Sequence, residues 1–293
     1  MSLEVTVMTN FKKNNGDTST LGKDAVNTTN SDLLGKNSAD DEYKKKISEF
    51  STMISKANNI VFVGGAGVST ESGIPDFRGE AGLYVKENNY KYKPRDMLSK
   101  GFFYTHCADF FDFYKSLCPA FDVKPNVTHD ALHELEKKKN LTIITQNIDG
   151  LHEKAGSVNV INLHGTAIKN HCMICRREYG QDSMHDLLKS AKKGVPKCPR
   201  CHIGTVRPNV ILYDEMIPIT PLIKAKKAIK EADLIIVGGT TLLVNPTRSL
   251  IANYNGPIVI INKGETTADS RACLIFSDTI GKVLVDTIQL IKD

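Results

Sequence analysis

Two Cys-x-x-Cys pairs, Cys172/Cys175 and Cys198/Cys201, constrain the fold of this chain more than any other feature. Each pair brings two thiolates to one side of a tight turn, and two pairs complete the four-sulfur tetrahedron that Zn2+ favours. Four thiolates leave no open coordination position, so a zinc held there is structural and the chemistry lies elsewhere. Two redox dithiols, or four unrelated core cysteines, are the competing reading. Cys107, Cys118 and Cys273 have no partner at an obvious spacing, which suits a reducing compartment better than a disulfide framework.

The rest of the chain alternates helical patterns with short apolar runs. Ile47, Phe50, Ile54 and Ala57 recur at helical spacing and lead into the run 60–63. The runs 141–145, 158–163, 234–237 and 258–261 are bounded by Gly, Asn, Asp or Pro and separated by helical stretches. This rhythm predicts an α/β fold: a Rossmann-like, mostly parallel sheet with helices on both faces. It is broken by an aromatic-rich segment, 84–125, and by the cysteine segment, 169–205. The expected organisation is a sheet domain of residues 41–83, 126–168 and 206–293, with the helical insertion and the zinc ribbon forming a smaller domain. A cleft should separate the two. Residues 1–40 are polar, lack apolar periodicity and are expected to form a disordered arm.

No apolar run approaches the ~20 residues of a membrane span, and the polar N-terminus has no secretory h-region. A cytoplasmic protein is expected. The net charge of +5 is spread over many lysines, and the runs 44–46 and 137–139 read as solvated helix faces. Nucleic acid and membrane are therefore not expected as partners, and the oligomeric state is left open.

Residues 61–69, Val-Phe-Val-Gly-Gly-Ala-Gly-Val-Ser, place a glycine-rich turn directly after a buried strand, where backbone amides can approach a pyrophosphate. Gly65-x-Gly67-x-x-Thr70 departs from the dinucleotide fingerprint at its third glycine, so a merely tight structural turn stays open. The carboxyl ends of parallel strands share one edge, which should bring Ala66, Gln146, Asn147 and His164 to one crevice. Taken singly, Asn147 and Asp149 also read as turn formers, His164 as a satisfied core imidazole and Arg78 as a surface ion-pair residue.

Taken together, Gly65-Ala66-Gly67-Val68-Ser69, Gly73-Ile74-Pro75-Asp76-Phe77-Arg78, Thr145-Gln146-Asn147-Ile148-Asp149, Leu163-His164-Gly165, the four cysteines and Gly239-Thr240-Thr241-Leu242 resemble the sirtuins in type, order and spacing. Sirtuins are NAD-dependent protein-lysine deacylases. The resemblance runs from about residue 42 to 290 and is nearest to the bacterial type. It implies that NAD+ is consumed as a cosubstrate: nicotinamide leaves and the acyl group passes from lysine to ADP-ribose. It implies that Gly65, Ala66, Gly67, Ser69 and Thr70 wrap the phosphates and ribose, with Asp76, Phe77 and Arg78 on a loop over the nicotinamide end. Ile148 and Asp149 would meet the carboxamide, and Gln146 and Asn147 would position ribose hydroxyls and water. His164 matches the general base that accepts a proton from a ribose hydroxyl. Gly239, Thr240, Thr241, Asn262, Lys263 and Ile280 would line the adenosine end.

The same resemblance implies that Val210, Ile211, Leu212 and Tyr213 take an acetylated protein substrate as an added strand. Family members commonly carry Gly where this chain has Asp214, which bears on substrate preference. Members that remove acidic acyl groups carry a Tyr-x-x-Arg pair; here Tyr114 is followed by Leu117 in place of the arginine, so neutral acyl groups are expected. A mono-ADP-ribosyltransferase is the alternative activity. A non-catalytic NAD-sensing or DNA-binding module, working through the basic residues of the zinc ribbon, is the third reading.

Overall fold

The computed structural model describes residues 30–76, 90–118 and 122–291, with side chains from residue 40 onward. Phe77 and Arg78, and residues 1–29 of the expected arm, lie outside these. The chain divides into two units, Met1–Glu42 and Tyr43–Asp293. In the first, the described residues from Asn30 are helical and open helix α1 (Asn30–Lys56), so the helix begins before the residue at which the apolar periodicity starts.

Along the second unit the strands are β1 (Asn59–Gly64), β2 (Asn140–Thr145), β3 (Val160–Asn162), β4 (Gly165–Cys172), β5 (Glu178–Gly180), β6 (Val206–Val210), β7 (Leu234–Gly238), β8 (Ile258–Ile261) and β9 (Leu274–Phe276). The further helices are α2 (Pro94–Met97), α3 (Lys100–Thr105), α4 (Cys107–Leu117), α5 (Val127–Lys138), α6 (Leu151–Lys154), α7 (Gln181–Lys189), α8 (Ile219–Glu231), α9 (Thr247–Ala252) and α10 (Ile280–Ile288).

Six strands form one parallel sheet in the order β3-β2-β1-β7-β8-β9. The order reverses between β1 and β7, the switch point where an open α/β sheet leaves a crevice beyond its strand ends. Successive β1 side chains alternate between the two faces. Ile60 and Phe62 join Phe50 and Ile54 of α1, Leu132 and Leu135 of α5 and Val283 and Leu284 of α10. Val61 and Val63 pack with Ala225 and Ile229 of α8 and Leu250 and Ile251 of α9. Phe62 also fills the space beneath the switch point: a Cβ on Gly64 or Gly238 would lie 2.9 or 2.8 Å from its ring. Truncating this fully buried ring to Ala would cost about 3–5 kcal/mol.

Strand β3 is shorter than the apolar run that announced it, because Val158 is 89 % exposed and precedes the pairing residues. The three-residue β9 falls below the length at which an apolar run reads as a strand.

The remaining strands make an antiparallel sheet, β5-β4-β6. Phe102, Phe103, Phe110 and Phe111 from α3 and α4 share one core with Met184 and Leu188 of α7, Val206 of β6 and the buried Cys172 and Cys198. The rings meet edge to face, as at Phe103–Phe110 (4.9 Å, 83°) and Phe110–Phe111 (5.2 Å, 86°), the arrangement their quadrupoles favour. Helical insertion and cysteine ribbon thus bury their apolar surface against each other. Because β4 begins at Gly165 and β6 ends at Val210, this sheet starts directly after His164.

Candidate active site

The turn after β1 crosses the switch point in close backbone contact with the turn after β7. Gly65 N–H donates to the Gly238 carbonyl (3.2 Å) and Gly67 N–H to that of Gly239 (2.9 Å). A Cβ on Gly67 would sit 2.7 Å from Gly239 Cα, and one on Gly239 would sit 2.5 Å from Val68 N. Gly239 also has φ +62°, a conformation that favours glycine. Ala66 lies in the first short 3-10 turn and Thr70 opens the second, its hydroxyl donating to the Gly67 carbonyl (3.0 Å). Asp76 is half-buried at the end of this segment.

The β2 end reaches over this turn. Asn147 Nδ2 donates to the Gly65 carbonyl and to Ser69 Oγ, both at 3.0 Å, and Ser69 Oγ donates to Asp149 Oδ2 at 2.8 Å. Asp149 Oδ1 accepts the Leu151 N–H at 2.9 Å. Burial raises the Asp149 carboxyl above its ordinary range, against the lowering effect of the Leu151 N–H and the Ser69 hydroxyl. Gln146 Nε2 donates to Thr240 Oγ1 (3.1 Å), spanning from the end of β2 to the turn after β7. Ile148 is half-buried, and its carbonyl accepts the Ala167 N–H of β4 (2.8 Å).

His164 follows β3 on the same edge. Its Nδ1 lies 3.0 Å from the Gln146 carbonyl, which can only accept, so Nδ1 carries the proton and Nε2 keeps its lone pair. Burial lowers the imidazole below its ordinary range, and the Gln146 carbonyl offsets only part of this. The ring is therefore neutral at physiological pH. Its backbone carbonyl accepts the Ile211 N–H at 2.9 Å, which joins His164 to the loop after β6. Gly165 has φ +75°, and a Cβ there would lie 2.0 Å from the Asn209 carbonyl oxygen, so only glycine permits this approach.

Thr241 and Leu242 continue the turn after β7, where the Thr241 carbonyl accepts the Thr267 N–H (3.2 Å). Asn262 follows β8, its N–H bonded to the Phe276 carbonyl (3.0 Å) and its side chain to the Gly264 carbonyl (2.7 Å); Lys263 is exposed. Ile280 opens α10 and is buried in the core beneath β7. Val210 is the last residue of β6, and Ile211, Leu212 and Tyr213 begin the loop after it. Tyr213 is anchored outward, its N–H to the Leu98 carbonyl (3.0 Å) and its carbonyl to the Lys100 N–H (2.8 Å).

The four cysteine sulfurs lie within 4.8 Å of one another. Cys172 and Cys201 Sγ are 3.7 Å apart, and Cys175 and Cys198 Sγ 3.6 Å. Tetrahedral zinc with Zn–S bonds of about 2.3 Å needs sulfurs about 3.8 Å apart, so the cluster fits that ion. A Cβ on Gly204 would fall 2.3 Å from Cys172 Sγ, and amides of Cys175 and Gly204 point at Cys172 and Cys201 Sγ (3.4 Å each). Burial raises the Cys198 thiol, but the Tyr179 hydroxyl and the amides of Cys201 and Arg200 outweigh it and bring it below its ordinary range. These donors favour the thiolate that a metal requires.

Three further features of the structure had no role in the motif reading. Asn126 donates from Nδ2 to the Val68 carbonyl (2.9 Å) while capping α5, and the Asn126-x-x-His129 spacing before an apolar helix is the signal for it. Thr145 Oγ1 accepts the Asn147 N–H (3.0 Å). The third is a buried ion pair, Arg207–Glu215, with no local sequence signal.

A switch-point glycine turn, polar side chains converging on it and a four-sulfur metal cluster define a Rossmann-type dinucleotide-binding protein with a zinc ribbon. Residues 65–246 match the profile of the Sir2 family. An NAD-dependent protein deacetylase of Clostridium acetobutylicum is 46 % identical over 245 residues, 83 % of this chain and 98 % of that protein. A solved Sir2 complex with a p53 peptide and NAD+ superposes with TM-score 0.73 at 34 % identity, over 82 % of this chain and 96 % of the other. A Sir2 bound to acetylated peptide gives TM-score 0.73 at 32 % identity, over 84 % and 99 %. The chain belongs to the Sir2 family.

Proposed function

We infer that this member of the Sir2 family is an NAD-dependent protein deacetylase, acting on acetyl-lysine in protein substrates. Bound NAD+ supplies the departing nicotinamide and the ADP-ribose that accepts the acyl group. Gly65, Ala66, Gly67, Ser69 and Thr70 would hold its phosphates and ribose: Gly65 and Gly67 leave backbone, not side chain, at the switch point. Phe77 and Arg78 complete the proposal on its nicotinamide side. Asn147 and Asp149 are joined through Ser69, so the groups proposed for ribose and carboxamide are held in one orientation before anything binds. Pre-orientation of this kind lowers the cost of reaching a reactive geometry.

The observation that carries the reading is the fixed tautomer of His164. With Nδ1–H given to the Gln146 carbonyl, a neutral imidazole presents Nε2 as a proton acceptor on the strand edge shared by Asn147 and Gly67. A base placed there takes a ribose-hydroxyl proton, which deacylation requires. Leu212 and its neighbours would receive the substrate backbone, and Asn262, Lys263 and Ile280 are proposed for the adenosine end. We propose the cytoplasm as the compartment: the matched relative is bacterial and Cys107, Cys118 and Cys273 are free thiols.

Mass spectrometry of an acetyl-lysine peptide incubated with and without NAD+ tests the reading. Loss of acetyl only with NAD+, with O-acetyl-ADP-ribose formed and both abolished in His164→Ala, is the expected result. An unchanged peptide with ADP-ribose added to protein would instead make the chain a transferase to protein.

A further inference from the structure

Outside the strand-end site, a buried polar cluster surrounds Arg207, a β6 residue only 8 % exposed. Its guanidinium makes a two-pronged ion pair with Glu215, Nη1 to Oε1 at 2.8 Å and Nη2 to Oε2 at 3.1 Å. Nη2 also donates to the Val210 carbonyl (2.9 Å) and Nε to that of Pro208 (3.3 Å). The guanidinium carbon lies 5.0 Å from the ring centre of Phe103 on α3. The two bonds to Glu215 tie β6 to the loop that follows it, and the other two stay on β6 itself.

Glu215 in turn closes a turn over residues 212–215. Its carboxylate accepts the Leu212 N–H (2.9 Å), and its own N–H donates to the Leu212 carbonyl (3.0 Å). Asp214 occupies the third position of that turn with φ +66°, as a type II turn demands. Burial pushes the Glu215 carboxyl up, but Arg207 and the Leu212 N–H outweigh it and hold it below its ordinary range. The opposite side of the turn is pinned through Tyr213 to Leu98 and Lys100. Between these anchors, the Ile211 carbonyl and the Asp214 amide have no backbone partner among the described residues, and an added strand needs such groups.

We propose that the Arg207–Glu215 pair is a positioning device for the substrate peptide. It holds the loop of residues 210–215 in the form that receives the backbone flanking the acyl-lysine, and so sets peptide affinity without entering the NAD+ site. This rests on the reading that the loop takes the substrate. A charge-assisted bond removed from a buried pair loosens what it held, because the surviving charge seeks new partners.

The test uses the full chain with Glu215→Gln, nearly isosteric, and Arg207→Lys. Calorimetric titration with an acetyl-lysine peptide of about ten residues, without NAD+, should show Kd raised roughly tenfold in each variant, the range expected for a charged hydrogen bond. The KM for the peptide should rise with it, while kcat and the KM for NAD+ move less than about twofold. Turnover of a single acetyl-lysine amide, which has no flanking backbone, should match wild type. Unchanged peptide Kd in Glu215→Gln, or equal losses for peptide and NAD+, would overturn the device. Should Arg207→Lys fail to fold, Glu215→Gln decides alone. If wild type neither binds nor deacetylates the peptide, the functional reading itself fails; if wild type does both and Glu215→Gln binds equally well, only the device fails.

Discussion

His129 and His152 make the acid stability of this fold a quantitative test of the structure. The two residues, on α5 and α6, are 0 % and 1 % exposed, with ring centroids 4.8 Å apart. His129 Nδ1 meets Asn126 Oδ1 at 2.9 Å, but its Nε2 and both ring nitrogens of His152 have no partner among the described residues. Burial lowers His129 to about 4, and burial together with the neighbouring His129 lowers His152 to about 3. Both rings are thus neutral in the folded protein at neutral pH, whereas in the unfolded chain they bind protons near the ordinary value of about 6.5. Stability is complete above about pH 6.5 and falls as the pH drops toward 4 and 3, because only the unfolded state gains protons in that window. At pH 5 each ring withdraws about 1.4 kcal/mol for each of about 1.5 pH units, so about 2 kcal/mol per ring and about 4 for the pair. Urea unfolding of wild type and His152→Leu at pH 7.5 and 5.0 measures it. Groups elsewhere titrate alike in both proteins, so the variant should lose about 2 kcal/mol less than wild type over the interval. Equal losses would show that His152 is not buried in its neutral form, and the reasoning would fall.

Four further outcomes are expected. Gly67→Ala places a methyl 2.7 Å from Gly239 Cα, backbone that cannot yield as a side chain would; overpacking of about 1–3 kcal/mol should weaken NAD+ binding roughly tenfold or more by calorimetry, with peptide binding unaffected. Chelation should strip zinc from Cys172, Cys175, Cys198 and Cys201 and loosen the shared aromatic core, seen as lost near-ultraviolet dichroism that returns with Zn2+ but not Mg2+. Because burial lowers His164, the acid limb of kcat should fall at an apparent pKa under 6.5, the neutral base being lost below it; a limb near 8 in a pH–rate profile would assign it to another group. Deacetylation should exceed desuccinylation in kcat/KM on one peptide, since Leu117 offers no charge to a succinyl carboxylate and Tyr114 is buried among the aromatic rings; the reverse ranking would refute this.

The parallel sheet was readable because buried strands advertise themselves as short apolar runs, and both faces of β1 are covered, as Ile60 and Phe62 on one side and Val61 and Val63 on the other require. The reading failed where that signal is weak. Strand β9 offers three residues, and the run that announced β3 counted Val158, which solvent reaches. Once the sheet was parallel, its strand ends had to share an edge, so Ala66, Gln146, Asn147 and His164 could be grouped although they span about a hundred residues of chain.

Side-chain partnership across that edge is a different kind of information. Ser69 and Asp149 are 80 positions apart, and nothing local to either says that the hydroxyl of one meets the carboxylate of the other. Arg207 sits in Val-Arg-Pro-Asn-Val, where nothing in the neighbouring residues marks its side chain as buried. Its burial becomes intelligible only when Phe103 and Glu215 are brought against it from two other segments. The same holds for Asp214. As a departure from the family's glycine it pointed to a change in substrate approach, whereas φ +66° gives a backbone reason for both residues. Glycine adopts that conformation without strain, and aspartate is among the few other residues that tolerate it. The substitution therefore bears first on the turn that Glu215 closes, where its own side chain is exposed.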